Sequence, residues 1–256
     1  MHRFYLPPSE CVGNRFPLTG REAHHAISVL RLRERDRVTV LDGAGHEIMC
    51  EVEAAGKQTL DLKVVQRNLI PALPYQLTLV QAVPKGKVME AIIQKATELG
   101  VTRIVPLLSD RVVTQLDQED VAGRQQRWQQ VAVESIKQCG QPWLPLVDTP
   151  LTPKAYLDRN EKFDLHLIAS LQEGSQHPRE FFADYRAERK SLPKSLAVWI
   201  GPEGDFTPAE MNAACSGGAR PITLGRLVLR SETAAIYSLS VLNYEMQAGY
   251  SNEPSR

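Results

Sequence analysis

Two hydrophobic periods divide the chain. Between residues 37 and 66, apolar and polar positions alternate in RVTVL (37–41), HEIMCEVEA (46–54) and LDLKVVQ (60–66), as in strands with one buried face. Turn-forming residues, Asp42-Gly43-Ala44-Gly45 and Ala55-Gly56-Lys57, separate these runs. Upstream, residues 3–6 predict a short strand. Thr19-Gly20-Arg21-Glu22 has the spacing of a capping box, opening a helix to about Leu30. A compact barrel or meander over residues 1–70 accounts for this part. NLIPALPY (68–75), with two prolines, reads as a linker, which divides the chain into domain 1–70, connection 71–75, domain 76–249 and tail 250–256.

Beyond the linker the pattern changes to strands alternating with helices. Strands are predicted at 76–83, 103–108, 144–147, 164–169, 196–200 and 221–224. Between them lie helices at 87–99, with Val88, Ile92, Ala96 and Leu99 on one face, and at 118–139, with Trp128, Val131, Ala132, Ser135, Ile136 and Cys139 on its buried side. Thr152-Pro153 is a cap-plus-proline start, and a charged helix covers 179–189. Thr207-Pro208-Ala209-Glu210 forms a second capping box, and a last helix starts at a cap, Ser231 or Thr233, and runs to about Ala248, before Gly249. Six strands with intervening helices predict an α/β fold, a mostly parallel sheet covered on both faces.

Two of these strands end in glycine-bearing loops that lead towards helices, Gly201-Pro202-Glu203-Gly204 and Gly225 to Arg230. Glycine at a strand's carboxyl end lets backbone approach a ligand, and open α/β sheets bind small molecules there. A tight strand-to-helix turn is the alternative. Neither loop has the G-x-G-x-x-G or G-x-x-x-x-G-K-[ST] pattern, so dinucleotide and P-loop nucleotide binding lack their fingerprints. No G-x-S-x-G elbow supports a hydrolase.

Composition narrows the partners. The 256 residues are 43% hydrophobic and 23% charged, in the range of globular proteins. No apolar run approaches the roughly 18 residues of a membrane span, and MHRFYLPPSE lacks a signal peptide's apolar core; the expected location is the cytoplasm. Lys plus Arg equals Asp plus Glu at 30 each, so nucleic-acid binding has to come from local patches. One candidate is RLRERDR, where Arg31, Arg33, Arg35 and Arg37 alternate; a self-paired charged loop is the other reading. Cys11, Cys50, Cys139 and Cys215 lack zinc-site spacing and are expected to be free thiols, mostly buried. The neighbouring His24 and His25 have no metal-like partner, so no metal site is expected.

Longer strings carry a resemblance. QAVPKGKVMEAIIQKATELGVTRIVPL, RWQQVAVESIKQCGQPWLPLV, IGPEGDFTPAE and LGRLVLRSETAA resemble, in order and spacing, the ribosomal RNA small subunit methyltransferase E family of the SPOUT superfamily. MHRFYL and HHAISVLRLRERDRVTVLDGAG resemble its amino-terminal PUA-like domain. The resemblance implies a PUA-like β-barrel domain followed by a SPOUT-type parallel sheet with a C-terminal trefoil knot, which periodicity alone does not suggest. It also implies a homodimer without membrane association, and S-adenosylmethionine-dependent methylation of N3 of a uridine in the decoding region of 16S rRNA, on the assembled small subunit. The chain departs from the family pattern at Asp205, where Gly is usual, and at Gln141, where Arg is common.

By the same resemblance, three loops hold the cofactor, through Leu171, Ile200, Gly201, Gly204, Leu224, Gly225, Leu229, Ser231, Thr233 and Ala234. Uridine N3 carries a proton and becomes nucleophilic only on losing it. Arg230 is the first catalytic candidate, stabilising charge on the uracil oxygens or gripping a phosphate, with Glu232 and Glu203 as proton acceptors or as groups that orient Arg230. Helix-start charges or local salt bridges are the plainer reading of both carboxylates. Arg3, His25, Arg31 and Arg33 are the RNA-contact candidates. The competing functions are a non-catalytic RNA-binding or ribosome assembly factor and a ribose 2′-O-methyltransferase of the same superfamily, whose Asn-x-Gly…Arg signature is missing after Val83.

Overall fold

The computed structural model describes residues 2–111 and 118–247. Predictions at Ala248, at Gly249 and for the tail 250–256 lie outside them. The chain forms two compact units, Met1–Ala72 with Val133–Leu144, and Leu73–Ala132 with Pro145–Arg256.

The first unit contains a five-stranded sheet of β1 (His2–Tyr5), β2 (Arg15–Leu18), β3 (Arg37–Leu41), β4 (His46–Ala55) and β5 (Leu60–Leu69) in the order β1-β3-β4-β5-β2. Only the β1–β3 pair is parallel. The alternating pattern holds: Val38, Val40, Ile48, Cys50, Val52, Leu60 and Leu62 face one core with Phe4, Phe16 and Leu18. β2 escapes the sequence reading because Pro17 disfavours a strand; it is tolerated at this edge, where β2 pairs with β5 alone. β5 continues to Leu69, so the extended strand takes up the first two residues of the predicted linker.

The predicted first helix is shorter and differently capped. α1 (Gly20–His24) passes into one π-helical turn, His25–Val29, and stops where Arg31 takes φ +54° and the Leu32 N–H reaches the Ala26 carbonyl at 3.0 Å. Thr19 makes no side-chain cap, and the Glu22 carboxylate pairs with Lys137 at 2.8 Å, so the capping box is not formed.

The second unit is a six-stranded sheet of β6 (Gln76–Ala82), β7 (Arg103–Leu107), β8 (Leu146–Val147), β9 (Leu165–Ala169), β10 (Ser195–Ile200) and β11 (Arg220–Ile222). Its order is β11-β9-β10-β6-β7-β8 with every pair parallel, as the strand–helix alternation predicts. The helices are α2 (Val88–Glu98), α3 (Gln118–Cys139), α4 (Pro153–Leu157), α5 (Pro178–Arg189), α6 (Pro208–Ser216) and α7 (Ser231–Gln247). The buried face of α2 is Met89, Ile92, Ile93, Ala96 and Thr97, displaced by about one position from the predicted one. In α3, Trp128, Ala132, Ser135 and Ile136 are buried as expected, but Cys139, the last helical residue, is exposed. All four cysteines are free, and only Cys11 and Cys50 are buried.

The end of α3 belongs to the first unit for identifiable reasons. Arg3 donates to the carbonyls of Lys137 and Gln138, closing the helix C-terminus. Gly140 follows at φ +81°, a left-handed conformation that strains other residues, and a Cβ there would also press on the Arg3 guanidinium at 2.9 Å. The Trp143 indole donates to Ile70 and packs on Gly45.

Candidate functional site

The carboxyl ends of β9, β10 and β11 surround a cavity of about 260 Å³. Such strand ends, beside the point where the sheet order reverses, are where parallel sheets bind ligands. Of the ten predicted cofactor residues, Leu171, Ile200, Gly201, Leu224, Gly225, Leu229, Ser231 and Ala234 line it; Gly204 and Thr233 do not. Gly204 instead offers its carbonyl to Arg111, and Thr233 faces solvent on α7.

Beneath the cavity the β10 end rests on an aromatic cluster. Trp199 is fully buried and meets the rings of Tyr156 and Phe206 at 5.2 and 5.9 Å. Its indole N–H donates to His166 Nε2 at 2.7 Å. Burial holds the His166 pKa down, to about 4, and the opposite ring nitrogen bonds the Gly217 backbone, so the neutral imidazole is fixed in one tautomer.

The loop following β10 is tied on all sides. The Asp205 N–H bonds the Pro202 carbonyl at 3.0 Å, the Phe206 N–H bonds Asp205 Oδ1 at 2.8 Å, and the Lys85 N–H bonds Glu203 Oε1 at 3.1 Å. The Ser231 hydroxyl donates to the Gly201 carbonyl at 2.7 Å and accepts from Gln81 Nε2 at 2.9 Å, joining the ends of β6 and β10 to the start of α7. Ser231 is therefore the first helical residue and not the predicted cap; the Ala234 N–H bonds the Arg230 carbonyl. The second capping box is complete, and Glu210 uses its other oxygen to hold the Asp110 N–H at 2.8 Å.

The loop following β11 is the opposite. The backbone of residues 226–229 makes no hydrogen bond to any described residue, and Leu227 and Val228 are both 78% exposed. Free backbone donors and acceptors beside apolar side chains suit a flat, polar-edged ring such as adenine, which is the fit expected of S-adenosylmethionine. The lining residues not named individually from the sequence are Ala169, Ser170, Gln172, Pro202, Asp205, Thr223, Arg226, Leu227 and Val228, the last three inside a loop that the resemblance already gave to the cofactor.

Only one of the three catalytic candidates reaches the cavity wall. Glu203 lines the cavity. Arg230 and Glu232 do not line it; they stand at the start of α7, and neither makes an ion pair among the described residues. Arg230 is exposed and precedes the first residue of α7, where the helix dipole offers a cation no stabilisation.

The RNA candidates all lie in the first unit. His25 is exposed, with its ring edge towards Phe4. Arg31, Arg33, Arg35 and Arg37 are exposed and make no ion pair among the described residues, because Asp36 accepts the Arg33 backbone N–H at 2.7 Å instead. Their alternation is not that of a strand, since Arg31 and Arg35 both have positive φ. Arg3 is occupied by the carbonyls at the end of α3. Gln141 makes no hydrogen bond among the described residues.

Residues 71–243 match the RNA methyltransferase domain family and residues 18–65 the RNA methyltransferase PUA domain. The chain is 32% identical to ribosomal RNA small subunit methyltransferase E of Bacillus subtilis, over 91% of both chains. It is 30% identical to the Synechocystis protein of the same name, over 94% of this chain and 77% of that one. Among solved structures, a methyltransferase from Legionella pneumophila in complex with bound S-adenosylmethionine superposes with a TM-score of 0.84 at 31% identity, covering 94% and 96% of the two chains. Ribosomal RNA small subunit methyltransferase E from Neisseria gonorrhoeae, bound to the same cofactor, gives 0.82 at 27% identity over 95% and 97%.

Proposed function

The chain belongs to the ribosomal RNA small subunit methyltransferase E family, and from that premise we propose that this S-adenosylmethionine-dependent rRNA methyltransferase acts on N3 of a uridine in the decoding region of 16S rRNA, within the assembled small subunit. The observation that carries the reading is the cavity at the ends of β9, β10 and β11, lined by eight of the ten residues that the resemblance assigns to the cofactor.

S-adenosylmethionine supplies an activated methyl group on its sulfonium. The protein's task is then to hold a deprotonated N3 in line with that group. Arg230, between the lining residues Leu229 and Ser231 and without an ion pair among the described residues, stabilises negative charge on the uracil oxygens, while Glu232 and Glu203 take the proton or orient Arg230. The target base has to leave its stack to enter. In the division of labour proposed, domain 1–70 holds RNA, supported by its unpaired Arg31, Arg33, Arg35 and Arg37, and domain 76–249 performs methyl transfer.

The trefoil knot belongs to the same proposal. It is supported by a chain path in which β10 lies between β9 and β6 while the start of α7 bonds both Gln81 and Gly201. So does a homodimer, for which α7 offers the exposed Tyr237 and Tyr244, seven residues apart on one face; sedimentation of the purified protein tests it. Among the described residues no helix is long and apolar enough to cross a membrane, and action in the cytoplasm, where the subunits are, is part of the proposal.

The test is incubation of small subunits lacking the modification with the protein and S-adenosylmethionine, followed by mass spectrometry of the nucleosides. N3-methyluridine is expected. A methylated ribose would overturn the reaction assigned here, and no methylation of any nucleoside would favour an assembly factor.

A further inference from the structure

Asp205 is the one non-glycine residue of the cavity wall in the left-handed region, at φ +58°. Aspartate tolerates this conformation better than most residues, though glycine takes it without strain. Its carboxylate is held in one orientation: Oδ1 accepts the Phe206 N–H at 2.8 Å and lies against Gly201, where a Cβ would come within 3.0 Å of it. Oδ2 has no partner among the described residues, and no Lys, Arg or His there forms an ion pair with Asp205. The cavity lining contains two carboxylates, Glu203 and Asp205, against one cationic side chain, Arg226. Glu203 likewise accepts one backbone N–H, from Lys85, but it is exposed to solvent, whereas Asp205 is half-buried. A fixed carboxylate in a pocket that leaves its charge unpaired is built for a ligand bearing a positive one.

We propose that Asp205 is a cofactor-binding residue of this chain, whose carboxylate is the counter-charge for a cationic group of the methyl donor. The inference rests on the assignment of the cavity to S-adenosylmethionine. That molecule offers two cations, the sulfonium and the α-ammonium of its methionine part, and both present the same chemistry to a carboxylate. The strained backbone then has a purpose: it aims the carboxylate inward from a loop otherwise tied to its neighbours.

The test is calorimetric binding to the intact protein of three probes: S-adenosylmethionine, with both cations; S-adenosylhomocysteine, with only the ammonium; and 5′-methylthioadenosine, with neither. Asp205→Asn keeps the left-handed backbone and the acceptor for Phe206 while removing the charge; Asp205→Gly relieves the backbone and removes the side chain. Both variants are expected to bind S-adenosylmethionine about tenfold more weakly than the wild type. A loss shared by S-adenosylhomocysteine but not by 5′-methylthioadenosine assigns the ammonium, and a loss confined to S-adenosylmethionine assigns the sulfonium. Any other pattern overturns the proposal, including unchanged affinity or an equal loss for all three probes, which would report loop geometry alone. Failure of the wild type to bind any of the three would instead overturn the reading of the cavity.

Discussion

The loops that follow β10 and β11 line the same cavity but are built by opposite means. Residues 201–205 are fixed by the Ser231 hydroxyl, the Lys85 amide, the Arg111 guanidinium and their own internal turn, over a buried aromatic floor. Residues 226–229 have no backbone bond to any described residue and carry two exposed aliphatic side chains. One wall is preorganised and the other has its polar backbone available to ligand. In a group-transfer site this asymmetry is useful. On the proposed reading of the cavity, the rigid wall sets where the donor sits and the open wall completes its contacts when the donor arrives.

The largest effect is expected where the open loop meets α7. Arg230→Ala should lower methyl transfer to small subunits by about 10²- to 10³-fold, while affinity for S-adenosylmethionine changes by less than about threefold, because Arg230 does not line the cavity. Wild-type turnover would remove Arg230 from the catalytic group.

Acid should weaken the floor under the fixed wall next. His166 is held neutral, its pKa brought down from 6.5 to about 4 mainly by burial. The unfolded chain takes up this proton as pH falls below 6.5 and the folded chain only near 4. The stabilisation is therefore complete above pH 6.5, declines through the interval and is lost below about 4, amounting to at most about 3 kcal/mol. Denaturant unfolding of wild type and His166→Gln across pH 4–7 measures it; the variant should lose this component of the slope.

Gly201→Val tests the closeness of the fixed wall. A Cβ at this position meets Asp205 Oδ1 at 3.0 Å and the Asp205 Cα at 3.3 Å, so the loop has to shift. S-adenosylmethionine affinity should fall about tenfold, with thermal unfolding recorded alongside to separate displacement of the loop from loss of fold. The smallest effect belongs to the open wall: Leu227→Ser with Val228→Ser should change stability by less than about 0.5 kcal/mol, since both side chains are 78% exposed. A marked drop in melting temperature would mean that this loop is packed after all.

How far the sequence could be read follows from how local each determinant is. Two capping boxes have the same spacing. Thr207 and Glu210 form theirs because both members are adjacent on one turn and Glu210 has an oxygen to spare for Asp110. Thr19 and Glu22 do not, and the Glu22 carboxylate is instead drawn to Lys137, a residue distant in sequence that the local pattern does not contain. The parallel sheet and two glycine-bearing strand ends are written in short apolar runs, while the individual cofactor residues and the loop around Leu171 came only from the resemblance. The joining of residues 133–144 to the first unit was not, because it depends on Arg3, Glu22 and Gly45 meeting α3 and Trp143. The loop at 225–230 was legible as a loop, but the full exposure of Leu227 and Val228 was not, since it depends on no other element packing over them.

Hydrogen exchange of the wild-type protein with and without saturating S-adenosylmethionine tests most directly that this cavity, with one fixed and one open wall, is the methyl-donor site. Without ligand, the amides of Asp205, Phe206 and Thr207, each bonded in the structure, should exchange slowly and those of residues 226–229 fast. On adding S-adenosylmethionine, protection should appear at 226–229 and around Leu171, with little change at 205–207. Equal exchange in both loops without ligand, or protection that appears only away from the ends of β9, β10 and β11, would contradict the account.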